Sequence, residues 1–412
     1  MLLYNIAIYL YAFIVRLVSP FNTKARKMLE GHKEVYTKLK NEIDCNAEYI
    51  WFHAASLGEF EQGRPIMEEV KKSHPHYKIL LTFFSPSGYE IRKDYPLADI
   101  VCYLPFDKKH KVKKFLKLAK PKMAIFIKYE FWYNYINQLH KLGIPTYMVS
   151  AIFRPTQIFF RWYGKPMRNM LKLYSRICLQ DENSAVMLAK IGIINVEVCG
   201  DTRFDRVMDI QKQAKQLPVV ERFARKAKEE NETILIAGSS WPKDEDVFIS
   251  YFNMTADLKL IVAPHEIDEA HLKYIESILR RPYIRYSQAI PENVGDYDCL
   301  IIDSFGLLSS IYRYGQVAYI GGGFGVGIHN LLEAAVYDIP VIFGPNFKKF
   351  REAHQLIEQG GGYSIANAED FRGLMDEFLQ YSNTLEAAGA HAGDYVKSNT
   401  GVVKRVLNIL EL

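Results

Sequence analysis

The chain has 412 residues, 49% of them hydrophobic and 24% charged, with a formal net charge of +5. That length exceeds one ordinary domain and fits two α/β domains of roughly 150–200 residues, and so modest a charge gives no ground for a nucleic-acid partner. Cys45, Cys102, Cys178, Cys199 and Cys299 are widely spaced with no CxxC, which argues against a disulfide framework or zinc site and for buried free thiols in a reducing compartment.

The chain opens with MLLYNIAIYLYAFIVRLVSPF, apolar as far as Val15 and then basic at Arg16, Lys24, Arg26, Lys27 and Lys33. The run falls short of the ~20 residues that span a bilayer. It also lacks the basic n-region and small-residue cleavage site of a signal peptide. Tyr4, Tyr9 and Tyr11 suit a headgroup boundary, and the basic residues behind them suit anionic lipid. The expectation for residues 1–40 is a membrane-associated helical segment. A core helix with a solvated flank, or one tilted span with the basic residues inside, are the alternatives. In either membrane arrangement the body of the chain lies on the cytoplasmic side.

From residue 41 short apolar runs alternate with longer amphipathic ones. YIWFHAAS (49–56), KILLTFFS (78–85), DIVCYLP (99–105), MAIFIKYE (123–130), PTYMVSA (145–151), RICLQD (176–181) and VEVCG (196–200) read as strands. Helices are expected from Glu59 or Glu61, from Ser87, through the lysine-rich HKVKKFLKLAK, and over 131–142. A charged helical stretch within 209–230 reads as a linker. A second alternation then runs through TILIAGSS, LKLIVAP, YDCLIID, QVAYIGG and PVIFG and ends in helices. Such alternation means parallel sheets. The predicted architecture is two Rossmann-like domains, 41–208 and 231–412, with a cleft between them.

In open α/β sheets ligands bind beyond the carboxyl ends of the strands, so chemistry is sought there. After the first strand comes Ser56-Leu57-Gly58-Glu59. A Glu in a helix's first turn is a common structural choice, yet this one faces the predicted cleft, where desolvation would suit a general base. Ser85-Pro86-Ser87-Gly88 reads either as an anion trap or as a capped helix start. Tyr129-Glu130-Phe131-Trp132 surrounds a carboxylate with aromatics, for sugar stacking or for core packing. Asp201-Thr202-Arg203 offers a cation to a phosphate or carboxylate.

In the second half Ser239-Ser240-Trp241-Pro242 suits a phosphate at a helix N-terminus. Pro264-His265-Glu266 ends a strand in a histidine, a residue more often structural than ligating. Asp303-Ser304-Phe305-Gly306 offers main chain to a base edge. The densest signal is YIGGGFGVGIHNLLEAA, with Gly321, Gly322, Gly323, Gly325 and Gly327 between a strand and a helix expected to start at His329. Glycines let backbone amides approach an anion, although many such loops are only tight turns. Asn330 and Glu333 would share a helix face, where Glu333 could accept from ribose hydroxyls. The expected ligand is a nucleotide joined to something else. No HExxH or trusted DxD pair offers a metal site, so dipoles and cations must stabilise a leaving phosphate.

Taken together, the N-terminal apolar segment, WFHAASLGEF, SPSG, YEFWYN, CGDTRFD, IAGSS, APHE, DSFGLL and GGGFGVGIHNLLEAA with PVIFGPNFKKFREA resemble the 3-deoxy-D-manno-octulosonic acid (Kdo) transferases of lipopolysaccharide synthesis. The resemblance implies a GT-B fold, a CMP-Kdo donor, a lipid A precursor (lipid IVA) as acceptor, inversion at the anomeric centre, and transfer with no metal or other cofactor at the inner membrane. It implies that Glu59 is the general base. It further implies that Arg203, Ser239, Ser240, His265, the Phe305–Gly306 main chain, Gly322, Gly323, Asn330 and Glu333 hold the donor. Ser56, Ser85, Ser87 and Glu130 are expected near the acceptor. The chain departs from the family pattern at Lys128, Tyr133, Arg203 and Leu307. The readings weighed against it are a UDP-sugar 2-epimerase or lipid-disaccharide synthase, and a nucleotide-sugar-binding membrane protein without turnover.

Overall fold

Residues 1–412 are described by a computed structural model in which the chain forms two compact units, Met1–Asp205 with Gly401–Leu412, and Arg206–Thr400. Each unit is built on one seven-stranded sheet. In the first, β1 (Tyr49–Ala54), β2 (Lys78–Phe83), β3 (Ile100–Tyr103), β4 (Met123–Ile127), β5 (Thr146–Ala151), β6 (Arg176–Leu179) and β7 (Val196–Val198) lie in the order β3-β2-β1-β4-β5-β6-β7, every pairing parallel. The central strands β1, β4 and β5 are buried along their whole length. Helices cover both faces of such a sheet, which is why these strands read as unbroken apolar runs.

The second sheet contains β8 (Thr233–Ser240), β9 (Leu258–Pro264), β10 (Tyr283–Arg285), β11 (Cys299–Ile301), β12 (Val317–Ile320), β13 (Val341–Phe343) and β14 (Gly362–Ser364). Their order is β10-β11-β9-β8-β12-β13-β14, again all parallel. The two edge strands, β10 and β14, escape the sequence reading because each is three residues long and only partly buried.

Six helices of the first unit precede β5: α1 (Leu2–Val18), α2 (Thr23–Glu42), α3 (Leu57–Ser73), α4 (Pro86–Arg92), α5 (Lys109–Ala119) and α6 (Tyr133–Lys141). Helix α1 buries only Ala12 and Val15, leaving Leu3, Phe13 and Leu17 exposed, with Phe21 just beyond it. It is tied down by polar contacts instead. The Tyr4 hydroxyl donates to Asp107 Oδ2 at 2.6 Å, and Asn134 Nδ2 donates to Asn5 Oδ1 at 2.9 Å. No single helix is long and apolar enough to cross a membrane; α1 and α2 reach that composition only as a pair bent by 115°. Of the lysines in and just before α5, Lys108 and Lys114 lie over the Tyr9 and Tyr36 rings of the N-terminal helices, and Lys111 over Phe106.

Three expectations are corrected. The predicted second domain, 231–412, loses its last helix, Val402–Leu410, to the first unit, where Val402, Val406, Leu407 and Leu410 join the core against β1 and its neighbours. Asp205 fixes the start of that helix, accepting from the Gly401 and Val403 amides at 2.7 and 3.0 Å. The predicted linker, 209–230, is no bridge, since the unit boundary falls inside helix Arg203–Lys212 and helix Pro218–Glu229 packs on β8. The helix expected from His329 is only Leu332–Ala335, because the preceding residues are held in a folded loop. All five cysteines are free and only Cys45 is exposed.

Candidate active site

Each sheet reverses its strand order at one place, and crevices at such switch points are where open α/β sheets bind ligands. In the first unit the reversal lies between β1 and β4, so the loops carrying Glu59 and Glu130 leave the same edge of the sheet side by side. In the second it lies between β8 and β12, which brings together the Ser239–Trp241 loop and the glycine loop.

Glu59 occupies the third position of α3 and reaches back to the helix start, where its Oε2 accepts from the Ala55 and Ser56 amides at 2.7 and 3.2 Å. This is half of a capping box. Only Oε2 is engaged, so Oε1 remains available to take a proton. Burial, followed by the neighbouring Glu130 carboxylate, holds the Glu59 carboxyl above its ordinary value, against opposing pulls from the Ala55 amide, His53 and Lys128. A cost of desolvation and a like charge together are what raise a carboxylate toward general-base range. Gly58 stands beside it with nothing within 4 Å of where a Cβ would lie, so the space at the helix start is open.

Glu130 is placed differently from the sequence expectation. It is 6% exposed, His53 Nε2 lies 2.9 Å from its Oε2, and the Trp132 indole N–H donates to the same oxygen. Thr82 Oγ1 lies 2.9 Å from His53 Nδ1. The Thr82 hydroxyl donates to the Phe52 carbonyl at 3.3 Å, and His53 Nδ1 also lies 3.1 Å from the Thr82 carbonyl, so the buried imidazole is held between Thr82 on one side and Glu130 on the other. Glu130 thus acts on Glu59 through its field. Ser85 caps α4, accepting from the Ser87 amide at 3.3 Å, and the two hydroxyls are 2.9 Å apart. The Ser85 amide donates to the Ala55 carbonyl at 2.8 Å, which sets this serine pair beside the Glu59 turn. Arg203 also lies in the first unit, and its guanidinium pairs with Asp201 at 2.7 Å.

In the second unit Ser239 holds a left-handed backbone (φ 54°) at the end of β8. Ser240 turns the other way. Its fully buried hydroxyl donates to Glu245 Oε1 at 2.7 Å, and Glu245 in turn meets His271 Nε2 at 3.0 Å. The Ser240 hydroxyl is therefore committed to the core and does not reach a ligand, contrary to expectation. The glycine loop is wound tightly. A Cβ on Gly321 would fall 2.2 Å from the Ser239 carbonyl, and Gly322 sits at φ 90° with its amide donating to Asp244 Oδ2 at 2.8 Å. Gly323 packs against Gly344, whose amide nitrogen would lie 2.5 Å from a Cβ there.

The loop ends in a ring stack. His265 lies parallel to His329 at 4.3 Å and to Trp241 at 5.0 Å, while the Trp241 indole donates to His329 Nε2 at 3.2 Å. Burial, then the neighbouring His265, lowers the His329 pKa. Asn330 and Glu333 do come together, with Asn330 Nδ2 donating to Glu333 Oε1 at 2.9 Å. Phe305 is 77% exposed, and Gly306 is a left-handed turn with open space around it, on the carboxyl side of β11.

Known proteins carry the same arrangement of elements. Residues 26–206 match the family model of the 3-deoxy-D-manno-octulosonic-acid transferases (kdotransferases). Over those residues the chain is similar to the Kdo transferases. The similarity extends past the matched domain. A 3-deoxy-D-manno-octulosonic acid transferase of Aquifex aeolicus is 28% identical over 82% of this chain and 88% of its own. One of Rickettsia felis is 26% identical over 91% of this chain and 81% of its own. Among solved structures, the UDP-GlcNAc 2-epimerase of Neisseria meningitidis superposes with a TM-score of 0.62 at 13% identity, covering 88% of this chain and 99% of that one. At that identity the likeness concerns the fold, which is of the two-unit GT-B type.

Sequence reading of this chain missed four residues that organise the site. His53 looked like one position in a strand, and Asp244 and Glu245 looked like ordinary acids in a helix's first turn. His329 stood at an expected helix start. The one available signal was the pair of acids that follows Trp241-Pro242-Lys243, in the first turn of the helix after β8.

Proposed function

We propose that the chain transfers Kdo from CMP-Kdo to a lipid A precursor, lipid IVA, with inversion, in lipopolysaccharide synthesis. The observation that carries the reading is the half-engaged Glu59. One oxygen is locked to the start of α3, the other is unoccupied, and burial beside Glu130 favours its protonated form. On this reading Glu59 Oε1 removes the proton of the acceptor hydroxyl as that oxygen attacks the anomeric carbon of Kdo. The C–O bond to CMP breaks, and its electrons leave on the phosphate. Ser239 and the Gly323 amide stabilise that developing charge, the amides of Gly321, Gly322, Gly325 and Gly327 being engaged in holding the loop, as preorganised dipoles do most effectively in a site sheltered from water. The anomeric centre passes through an oxocarbenium-like state, as in glycoside hydrolysis.

Asn330 and Glu333, already joined, offer one amide and one carboxylate to the nucleotide. Arg203, held by Asp201, offers its positive charge to the Kdo carboxylate. The acceptor is taken by the first unit near Ser56, Ser85 and Ser87. The exposed apolar side chains of α1 rest in the cytoplasmic leaflet of the inner membrane, where the acceptor's acyl chains lie.

The test is to incubate the purified chain with CMP-Kdo and tetra-acylated lipid A precursor and read product mass. A mass gain of one or more Kdo units, with CMP released, is expected. No product, together with protection of the protein by UDP rather than CMP, would move the chain to UDP-sugar chemistry, which the shared fold alone accommodates.

A further inference from the structure

The elbow between α1 and α2 borders an open cavity of about 670 Å³, apart from both switch-point loops. Arg16 at the end of α1, Arg26 and Lys33 on α2, and Lys111 on α5 line it, with Glu30 as their one carboxylate. Neighbouring lysines of α2 do find acids: Lys27 pairs with Glu90 at 3.0 Å and Lys38 with Glu42 at 4.0 Å. Arg16, Arg26 and Lys33 make no such pair. Exposed and unpaired, these charges give the cavity a local positive potential.

The wall of the cavity holds a second anomaly. His32 is 5% exposed, packed edge-on against Phe106 at 4.6 Å and Tyr103 at 6.0 Å, and neither ring nitrogen makes a well-formed hydrogen bond. An apolar ring would fill that place at no cost in unmade bonds, and buried polar atoms without partners call for a reason such as a missing ion. Burial, then Lys111, pushes the His32 pKa down to about 3, against a smaller pull from the Leu104 main chain. Around the same elbow Phe13, Leu17, Val18 and Phe21 are exposed.

We infer that this cavity binds the phosphate of an anionic membrane amphiphile, its headgroup among Arg16, Arg26, Lys33 and Lys111 and its acyl chains along the apolar residues of α1. Two arginine forks match phosphate oxygens in a way that ammonium groups do not. Only the lipid source of the phosphate rests on the membrane-facing reading of α1; the anion site stands on the cavity itself and does not depend on the transfer chemistry.

The experiment uses the full chain in two arms. Inorganic phosphate and glycerol 3-phosphate are titrated while the His32 ring resonances are followed by NMR, assigned with His32→Asn. Co-sedimentation is then measured with phosphatidylcholine vesicles with and without phosphatidic acid. Arg16→Gln/Arg26→Gln/Lys33→Gln removes three cavity charges. Lys109→Gln/Lys113→Gln/Lys117→Gln removes three from the exposed side of α5, and circular dichroism confirms that both variants are folded.

The cavity variant is expected to lose the phosphate-induced His32 shift and to lose phosphatidic-acid binding by about tenfold more than the α5 variant. Equal losses in the two variants would overturn the site in favour of diffuse surface attraction. A His32 shift in wild type without selective vesicle loss would overturn the lipid source and leave a soluble phosphate as the ligand. Absence of both effects would overturn the site altogether. Failure of the wild type to bind any vesicle would refute the membrane reading of α1 alone.

Discussion

The Asp244 carboxylate lies against the glycine loop, with its Oδ2 2.8 Å from the Gly322 amide. The same oxygen accepts from the Trp241 amide at 3.0 Å, and Oδ1 accepts from the Tyr319 hydroxyl at 2.9 Å. One buried acid therefore ties the end of β12, the loop and the start of the helix after β8 into a single arrangement. Asp244→Ala leaves three donors without an acceptor, each worth about 1.5–3 kcal/mol when bonded to a charged group. A lower melting temperature and a CMP affinity weaker by about tenfold or more are expected from calorimetry. Unchanged CMP binding would remove the glycine loop from the donor site.

Glu59→Gln separates capping from catalysis. The amide oxygen can still accept from Ala55 and Ser56, so thermal stability should change little. Proton removal is lost, and general-base catalysis is typically worth ~10²–10⁴-fold. Transfer should fall by about that factor while CMP binding is retained. Turnover close to wild type would show that another group takes the proton.

The pH profile follows from the charges around Glu59. In the proposed role Glu59 must be ionised, and burial with Glu130 raises its pKa, so activity should fall with decreasing pH from a point above that of an ordinary glutamate. Glu130→Gln removes the repelling charge and should move that acid limb to lower pH. Lys128→Met removes a charge that favours ionisation and should move the limb up. Rate profiles of kcat/KM for the three proteins check both directions.

Asp107 carries a stability prediction of opposite sign to the usual carboxylate. Burial raises its pKa from 3.8 to about 6, although Tyr4 and the Asn134 and Tyr135 amides hydrogen-bond to it. Between about pH 4 and 6 the native state binds a proton that the unfolded chain does not, so this contribution to stability increases as pH falls. Relative to Asp107→Asn, the wild type should gain on the order of 2–3 kcal/mol between pH 7 and pH 4, at about 1.4 kcal/mol per unit. Urea melts at the two pH values measure it. A difference that shrinks on acidification would contradict the assigned burial.

The final helix offers a test of the unit boundary. Leu410 is 1% exposed in the core of the first unit. Leu410→Ala should cost about 2–5 kcal/mol, and hydrogen exchange should place the loosened amides in β1 and α3. Loosening confined to residues 231–400 would restore the boundary drawn from sequence.

Read alone, the sequence determined whatever depends on near neighbours. Apolar runs bounded by turns located β1 to β6 of the first sheet and the long strands of the second, whereas β7 is broken by Glu197 and only partly buried. Five glycines in seven residues announced a loop that only residues without Cβ can form, as Gly321 and Gly322 bear out. Glu59 was legible because its capping role is written within four residues.

Tertiary structure decided what those side chains do, because their partners are far away along the chain. His53 meets Glu130 across 77 residues, Asp244 meets Gly322 across 78, and Asp205 meets Gly401 across 196. It also turned Ser239 and Ser240, adjacent in sequence, to different fates, since a left-handed residue followed by a strand bulge leaves Ser239 half-buried and commits the Ser240 hydroxyl to Glu245. Periodicity reports which face of an element is apolar, but it carries no information about which distant group completes a buried hydrogen bond.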